Sequence, residues 1–267
     1  MTTAALAFAL GAAVIHAVWN LLLAGARDPE SATAVALVSA GLVGTPLALW
    51  WWHVDAEAVP FLVASSALQL AYFALLAAAY RRADLSVVYP LARGLAPVFV
   101  LVGSVALTDA STSAWQVAGV LLVAAGVLLV RGLGRGQGFA FGIAIAALIA
   151  TYTVVDKHGV VHASPVTYVW VITLFPGLVY AAVLPRRYKL RAALGPRAVV
   201  AGIASFAAYG LVLAALKLAP AASVAAVRES SVVIATVLAA VFLKERVTAW
   251  RLAGAVLVVG GVILLGA

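Results

Sequence analysis

Apolar stretches of bilayer-crossing length follow one another from one end of this sequence to the other. A transmembrane helix needs about 17–25 predominantly apolar residues. Ten such segments can be read: Ala4–Ala24, Ala32–Trp52, Phe61–Tyr80, Leu85–Leu107, Ser113–Val130, Gly138–Val155, Val166–Leu184, Ala198–Leu216, Ala221–Leu243 and Thr248–Gly266. What remains between them is short loops, with no room for a soluble catalytic or nucleotide-binding domain. Charged residues are 10% of the 267, and hydrophobic ones 66%. A soluble domain carries roughly 25% charged residues, so this chain lacks the charge to coat a water-facing surface. The expected fold class is all-α integral membrane, with ten transmembrane helices.

The sequence has no cysteine, which excludes disulfides, thiolate chemistry and cysteine metal sites. Its net charge of +8 would suggest nucleic acid in a soluble protein. Here the basic residues lie mostly between the spans, where they set orientation, and no nucleic acid is expected. No basic n-region precedes the first span, and that span has a counterpart in the second half. It is therefore read as part of the fold rather than as a cleaved signal.

The second constraint is self-similarity. Trp115–Val127 reads WQVAGVLLVAAGV and Trp250–Val262 reads WRLAGAVLVVGGV. At this 135-residue shift Trp115/Trp250, Ala118/Ala253, Gly119/Gly254, Leu122/Leu257, Val123/Val258 and Gly126/Gly261 are identical, and the same shift pairs Arg93 with Arg228 without a gap. The second spans pair Pro46 with Pro176 and the first spans pair Trp19 with Tyr152, at smaller shifts. Extra residues are therefore expected in the basic loop Pro185–Pro196. The expected organisation is a five-helix repeat over 1–131, a Gly-rich linker over 132–137 and a second repeat over 138–267. Five is odd, so the second repeat must enter the membrane upside down. Inverted repeats around a central cavity are a common plan of secondary transporters.

Thirteen basic residues, from Arg27 to Arg251, fall in loops after odd-numbered spans. Loops after even-numbered spans hold only Lys157 and Lys217, with Asp55, Glu57 and Asp109. The positive-inside rule then places the odd loops in the cytoplasm and both termini outside.

Charged groups inside a span need a reason, since each costs about 2.5–3.5 kcal/mol on insertion scales. Arg93 lies in the fourth span, and Arg228 and Glu229 in the ninth. A two-fold between the halves would bring the arginines to opposite walls of a cavity. Arg228 and Glu229 point about 100° apart on a regular helix, so they are not expected to pair face to face. Mutual neutralisation that merely locks helices together is the competing reading. Tyr89 lies four residues before Arg93 and so shares its face, with Ser86 one turn away. Ser231 lies one turn after Arg228. Pro90 and Pro97 flank Arg93 and favour a bent, shaped site. His16, Trp19 and Asn20 lie in the first span, Tyr152 in the sixth, and Tyr72 and Tyr209 in the third and eighth. Tyr168, Trp170 and Trp50–Trp52 read as interfacial belt. The Gly119, Gly126, Gly254 and Gly261 positions allow close helix approach.

Other patterns are weak. His158 and His162 have helical spacing, but only Asp156 stands near to complete a metal set. The segment GLGRGQG at Gly132–Gly138 follows no strand and lacks the Lys-Ser/Thr ending of a phosphate loop. No nucleophile–base pair is evident, so the chain is not expected to be an enzyme, and no cofactor or metal is expected.

The sequence resembles the drug/metabolite transporter superfamily in its ten-helix EamA type. The resemblance is carried by VVYPLARGLAPVFVLVGSV at Val87–Val105, AAVRESSVVIATVLAAVFLKERVT at Ala225–Thr248 and the Trp115 and Trp250 helices that follow. The Glu245–Arg246 close of the second repeat resembles the family's usual ending, but Ala110 replaces that glutamate in the first. The resemblance implies a helix bundle around a central cavity that moves small metabolites, amino acids or drugs without an ATP-driven module. The expected function is a secondary transporter, in the exporting direction, of a small polar or amphiphilic metabolite such as an amino acid. In the substrate site Arg93 and Arg228 would bind an anionic group. Tyr72, Tyr89, Trp19, Tyr152 and Tyr209 would pack on the organic body or a cationic group, with Glu229, His16, Asn20 and Ser231 completing it. The alternatives are a proton-coupled exporter of cationic drugs or quaternary amines using Glu229, and a translocase of lipid-linked substrates. Expected partners are the small-molecule substrate, the lipid bilayer and either protons or a counter-substrate, in a multi-pass protein of the inner cell membrane. Monomer and homodimer are both open.

Overall fold

The computed structural model describes residues 1–23, 28–108, 112–132, 138–184, 190–242 and 248–266. Arg27, Ala110, Arg135, Arg186, Arg187, Lys189, Lys244, Glu245 and Arg246 lie outside the described residues, as does most of the Gly-rich linker; the side chains of Asn20 and Ser86 also lie outside them. The helices are α1 (Thr3–Leu23), α2 (Pro29–Trp50), α3 (Val59–Arg82), α4 (Leu85–Thr108), α5 (Ala114–Arg131), α6 (Phe139–Gly159), α7 (Pro165–Val183), α8 (Leu190–Ala193), α9 (Pro196–Leu218), α10 (Ala221–Arg228), α11 (Ser231–Phe242) and α12 (Ala249–Gly266). Among the described residues no strand forms beyond a single bridge between Val54 and Ala163. Among the described residues eight segments are long and apolar enough to cross a membrane, and the shorter apolar segments Thr3–Trp19 and Ala114–Val130 accompany them. Large apolar side chains such as Leu42, Val63, Leu252 and Ile263 stand exposed, as lipid-facing residues must. The chain is an all-helical, multi-pass membrane protein.

Local chemistry sets the helix starts. Asp28 caps α2 through the Ser31 amide at 3.2 Å, with Pro29 in the first turn. Ser113 and Gln116 form a reciprocal capping box on α5, which satisfies two amides that lack intrahelical partners. Ser164 caps α7 ahead of Pro165, and Pro196 opens α9. The short helix α8 occupies the basic loop where extra residues were expected.

Packing is intimate where side chains vanish. A Cβ on Gly126 would stand 2.6 Å from Gly254 O, and one on Gly254 would stand 2.6 Å from Gly126 O. Further along, a Cβ on Gly261 would meet Gly119 O at 2.7 Å and one on Gly119 would meet Gly261 O at 3.0 Å. α5 and α12 therefore run antiparallel, backbone against backbone. Elsewhere α1 packs on α9, α10 and α11; α6 packs on α3 and α4; and α2 packs on α7 and α9.

The ends of the bundle are tied separately. The Met1 ammonium donates to Leu265 O at 3.2 Å. Arg81 pairs with Glu30 at 3.0 Å, joining α3 to α2. Lys157 Nζ donates to Leu216 O and Ala219 O at 2.5 and 3.1 Å, and Lys217 Nζ donates to Ala163 O at 3.1 Å. These two lysines, the basic residues predicted on the poorly charged side, satisfy carbonyls at helix ends.

Candidate functional site

The ninth apolar segment is interrupted at Arg228, Glu229 and Ser230. Glu229 N donates to Ala226 O and Ser230 N to Val227 O, both at 3.0 Å. These three-residue turns separate α10 from α11. No proline or glycine lies at the break, whereas α4 runs through Pro90 and Pro97 without interruption. The bend expected around Arg93 is thus a full break on the opposite segment, at its repeat counterpart. Arg228 closes α10 and Glu229 precedes α11. The C-terminal end of a helix favours a cation and the N-terminal end an anion, so the break suits both charges.

Three charged side chains meet there. Arg93 Nε lies 3.3 Å from Glu229 Oε2, and Arg228 Nη2 lies 3.5 Å from Glu229 Oε1. Arg93 and Arg228 are buried and Glu229 is fully so. The expectation that Arg228 and Glu229 would not pair is corrected: the two neighbours diverge along a backbone that stays right-handed helical at Glu229, and their side chains still meet at 3.5 Å. Glu229 stands between the two arginines. Two guanidiniums and one carboxylate leave one net positive charge when all are ionised. Arg93 Nε and Arg228 Nη2 meet Glu229 as ion pairs without hydrogen-bond geometry, and Arg228 Nε has no hydrogen-bond partner.

First-span residues reach this cluster. The Arg93 guanidinium contacts His16 Nε2, and Trp19 Nε1 donates to His16 Nδ1 at 3.2 Å. A neutral imidazole accepts at only one of its two nitrogens, so His16 cannot accept from both donors. The Tyr89 ring centroid lies 5.9 Å from Arg93 Cζ, in cation–π range.

A row of tyrosines leads away from the arginines. Tyr72 meets Tyr152 edge-on at 6.3 Å and Tyr152 meets Tyr209 edge-on at 6.2 Å. Tyr209 Oη donates to Asp156 Oδ2 at 2.5 Å. Asp156 is fully buried. Ser231 is buried at the start of α11.

Residues 136–267 match the model of the EamA-like transporter family. This half of the chain belongs to that family. A solved crystal structure, described only as that of a protein, superposes on it with a TM-score of 0.78 at 19% identity, covering 100% of this chain and 99% of that one. At that identity the likeness speaks for the fold alone. No curated protein matches the sequence.

In this EamA-like chain the structure brings together Arg93, Arg228, Glu229, His16, Trp19 and Tyr89 as one group. Tyr72, Tyr152 and Tyr209 form a second group ending on Asp156, which sequence reasoning left as a charged residue at the close of a span. One further reading is corrected. Tyr168 is wholly buried rather than interfacial, because Gly159 makes room for it: a Cβ there would stand 2.5 Å from Tyr168 Oη. Trp170 is fixed to α2, its Nε1 donating to Gly41 O at 3.0 Å and Thr45 Oγ1 at 3.1 Å. His158 and His162 both stack on Phe61, at 6.3 and 6.4 Å, and are not gathered on Asp156.

Proposed function

We propose that this EamA-like chain is a secondary transporter of the inner membrane that exports a small polar or amphiphilic metabolite, such as an amino acid, by alternating access. Two inverted five-helix repeats, 1–131 and 138–267, would rock about the broken ninth segment. Their relation by a two-fold in the membrane plane is supported by the glycine contacts. At the 135-residue shift the Gly126–Gly254 approach becomes Gly261–Gly119, which is the second approach found. The helix pairings of α1 with α9 and of α6 with α3 are likewise exchanged by such an axis.

The observation that carries the reading is the surplus charge at the break. Arg93 and Arg228 share one carboxylate through loose contacts of 3.3 and 3.5 Å, Arg228 Nε has no hydrogen-bond partner, and Arg93 sits beside an overcommitted His16. A carboxylate or similar anionic group would take up the spare donors, and Arg presents a planar fork suited to it. Trp19, Tyr89, Tyr72, Tyr152 and Tyr209 would offer aromatic surface to the rest of the molecule, with Ser231 at the margin. Export of cationic drugs through Glu229 is less well supported, since two guanidiniums flank that carboxylate and repel a cation.

The test is a thermal-shift screen of the purified protein against amino acids, polyamines, quaternary amines and nucleosides. A ligand that binds only the folded state raises apparent stability, by about 2.7 kcal/mol at a hundred times its Kd. Stabilisation by amino acids, lost in their carboxamides, is expected. Stabilisation by quaternary amines alone would contradict the proposal.

A further inference from the structure

Asp156 and Glu229 are both fully buried carboxylates, yet their surroundings differ in kind. Glu229 has two guanidiniums. Among the described residues no lysine or arginine forms an ion pair with Asp156. One oxygen, Oδ2, accepts from Tyr209. The other, Oδ1, has no hydrogen-bond partner. Ser65 of α3 and Tyr168 of α7 turn their buried hydroxyls to the same carboxyl. Three hydroxyls, with that of Tyr209, thus converge on a buried carboxyl that no cation pairs with among the described residues.

The charged and titratable groups around it are committed elsewhere. On its own helix, Lys157 caps the end of α9, Tyr152 stacks on Tyr72 and Tyr209, and His158 Nδ1 bonds Val154 O. From α9, Lys217 bonds Ala163 O. Arg93 of α4 and Arg228 of α10 are drawn to Glu229. From α3 and α7 only neutral hydroxyl-bearing side chains, Ser65, Tyr72 and Tyr168, approach. An isolated ionised carboxylate in such a place is very costly, and the group is neutralised instead. A proton on Oδ1 does this without moving the chain, because the Ser65 and Tyr168 hydroxyls can accept from the protonated form as well as donate to the ionised one.

We propose that Asp156 is a proton-binding site, taking a proton from water on Oδ1 and returning it, within the pocket made by Tyr209, Tyr168 and Ser65. Tyr209 joins this site to the tyrosine row, so loss of the proton changes the charge at the far end of the candidate substrate site. Coupling of that proton to transport rests on the transporter reading above; the proton site itself does not.

The site is tested without substrate, by infrared spectroscopy of the purified protein titrated from about pH 5 to about pH 9, the span between ordinary carboxyl and tyrosine ionisation. The wild type is expected to show a protonated-carboxyl C=O band that titrates, that disappears in Asp156→Asn and that shifts in Tyr209→Phe, which removes the donor to Oδ2. The second variant serves if the first does not fold. A band that persists in Asp156→Asn, is unmoved in Tyr209→Phe or is absent from the wild type overturns the proposal. Loss of the band on replacing choline chloride by sodium chloride makes this a metal-cation site and overturns it too. Coupling is then read in proteoliposomes holding a pH-sensitive dye and given a mixture of the twenty amino acids. Flux with a luminal pH change that is lost in Asp156→Asn supports coupling. Flux without a pH change refutes coupling and leaves the transporter reading standing. No flux refutes the amino-acid reading, and the proton site is then decided by the infrared result.

Discussion

Arg93 Nε stands 3.3 Å from Glu229 Oε2, so that a residue in the middle of α4 is tied to the break between α10 and α11. The contact is both a lock and a charge imbalance. Glu229 neutralises one guanidinium's worth of charge while touching two, and the repeat explains why. The 135-residue shift that pairs Arg93 with Arg228 places Gly94 opposite Glu229, so the carboxylate is present once where the cations are present twice.

Glu229→Gln is expected to be strongly destabilising. Removing one partner of a buried charged cluster leaves uncompensated charge and costs about 3–5 kcal/mol. The check is chemical denaturation or melting in detergent beside the wild type. Stability within about 1 kcal/mol of wild type, the range of an exposed pair, would mean that Glu229 does not hold the arginines together.

At Gly126 and Gly254 the seam between α5 and α12 leaves no room for a side chain. Gly254→Val would drive its Cβ to 2.6 Å from Gly126 O, and Gly126→Val would meet Gly254 O at the same distance. Each is expected to lower stability by about 1–3 kcal/mol, the usual effect of overpacking. Gly260→Val, where a Cβ meets nothing within 4 Å, serves as the control and should change little. Equal melting points for Gly254→Val and Gly260→Val would refute the close approach.

Much of this was legible in the sequence. Hydropathy located the helices to within a few residues, because apolar side chains are tolerated in a membrane and charges are not. The repeat and the two arginines stood out for the same reason. The break at Glu229 did not. It has no proline or glycine to announce it, and it depends on charges that are stabilised only once α4 is packed beside it. Asp156 was also missed as part of a site. At the end of the sixth span it was weighed only as a companion of His158 and His162, but Asp156 turns inward to Tyr209 while the neighbouring Lys157 turns to the carbonyls ending α9. Tyr168 misled by position, since only the space over Gly159 lets its hydroxyl stay inside.

Orientation is the next expectation. The basic residues of the odd-numbered loops should lie in the cytoplasm and both termini outside. A C-terminal reporter that is active only in the cytoplasm should be silent, and one active only outside should be active. A strong cytoplasmic signal would reverse the topology.

The most direct test of substrate binding at the charged cluster is a paired measurement on Arg93→Lys and Arg228→Lys. Lysine keeps the positive charge that Glu229 needs but not the planar fork that matches a carboxylate. Both variants are expected to insert and melt near the wild type. At least one, with Arg93→Lys foremost because Tyr89 and His16 surround it, should lose most amino-acid flux in liposomes. Melting temperature in detergent and flux in liposomes are read side by side. Stable variants with unaltered transport in both cases, or flux lost only in proportion to lost stability, would contradict a binding role for the arginines.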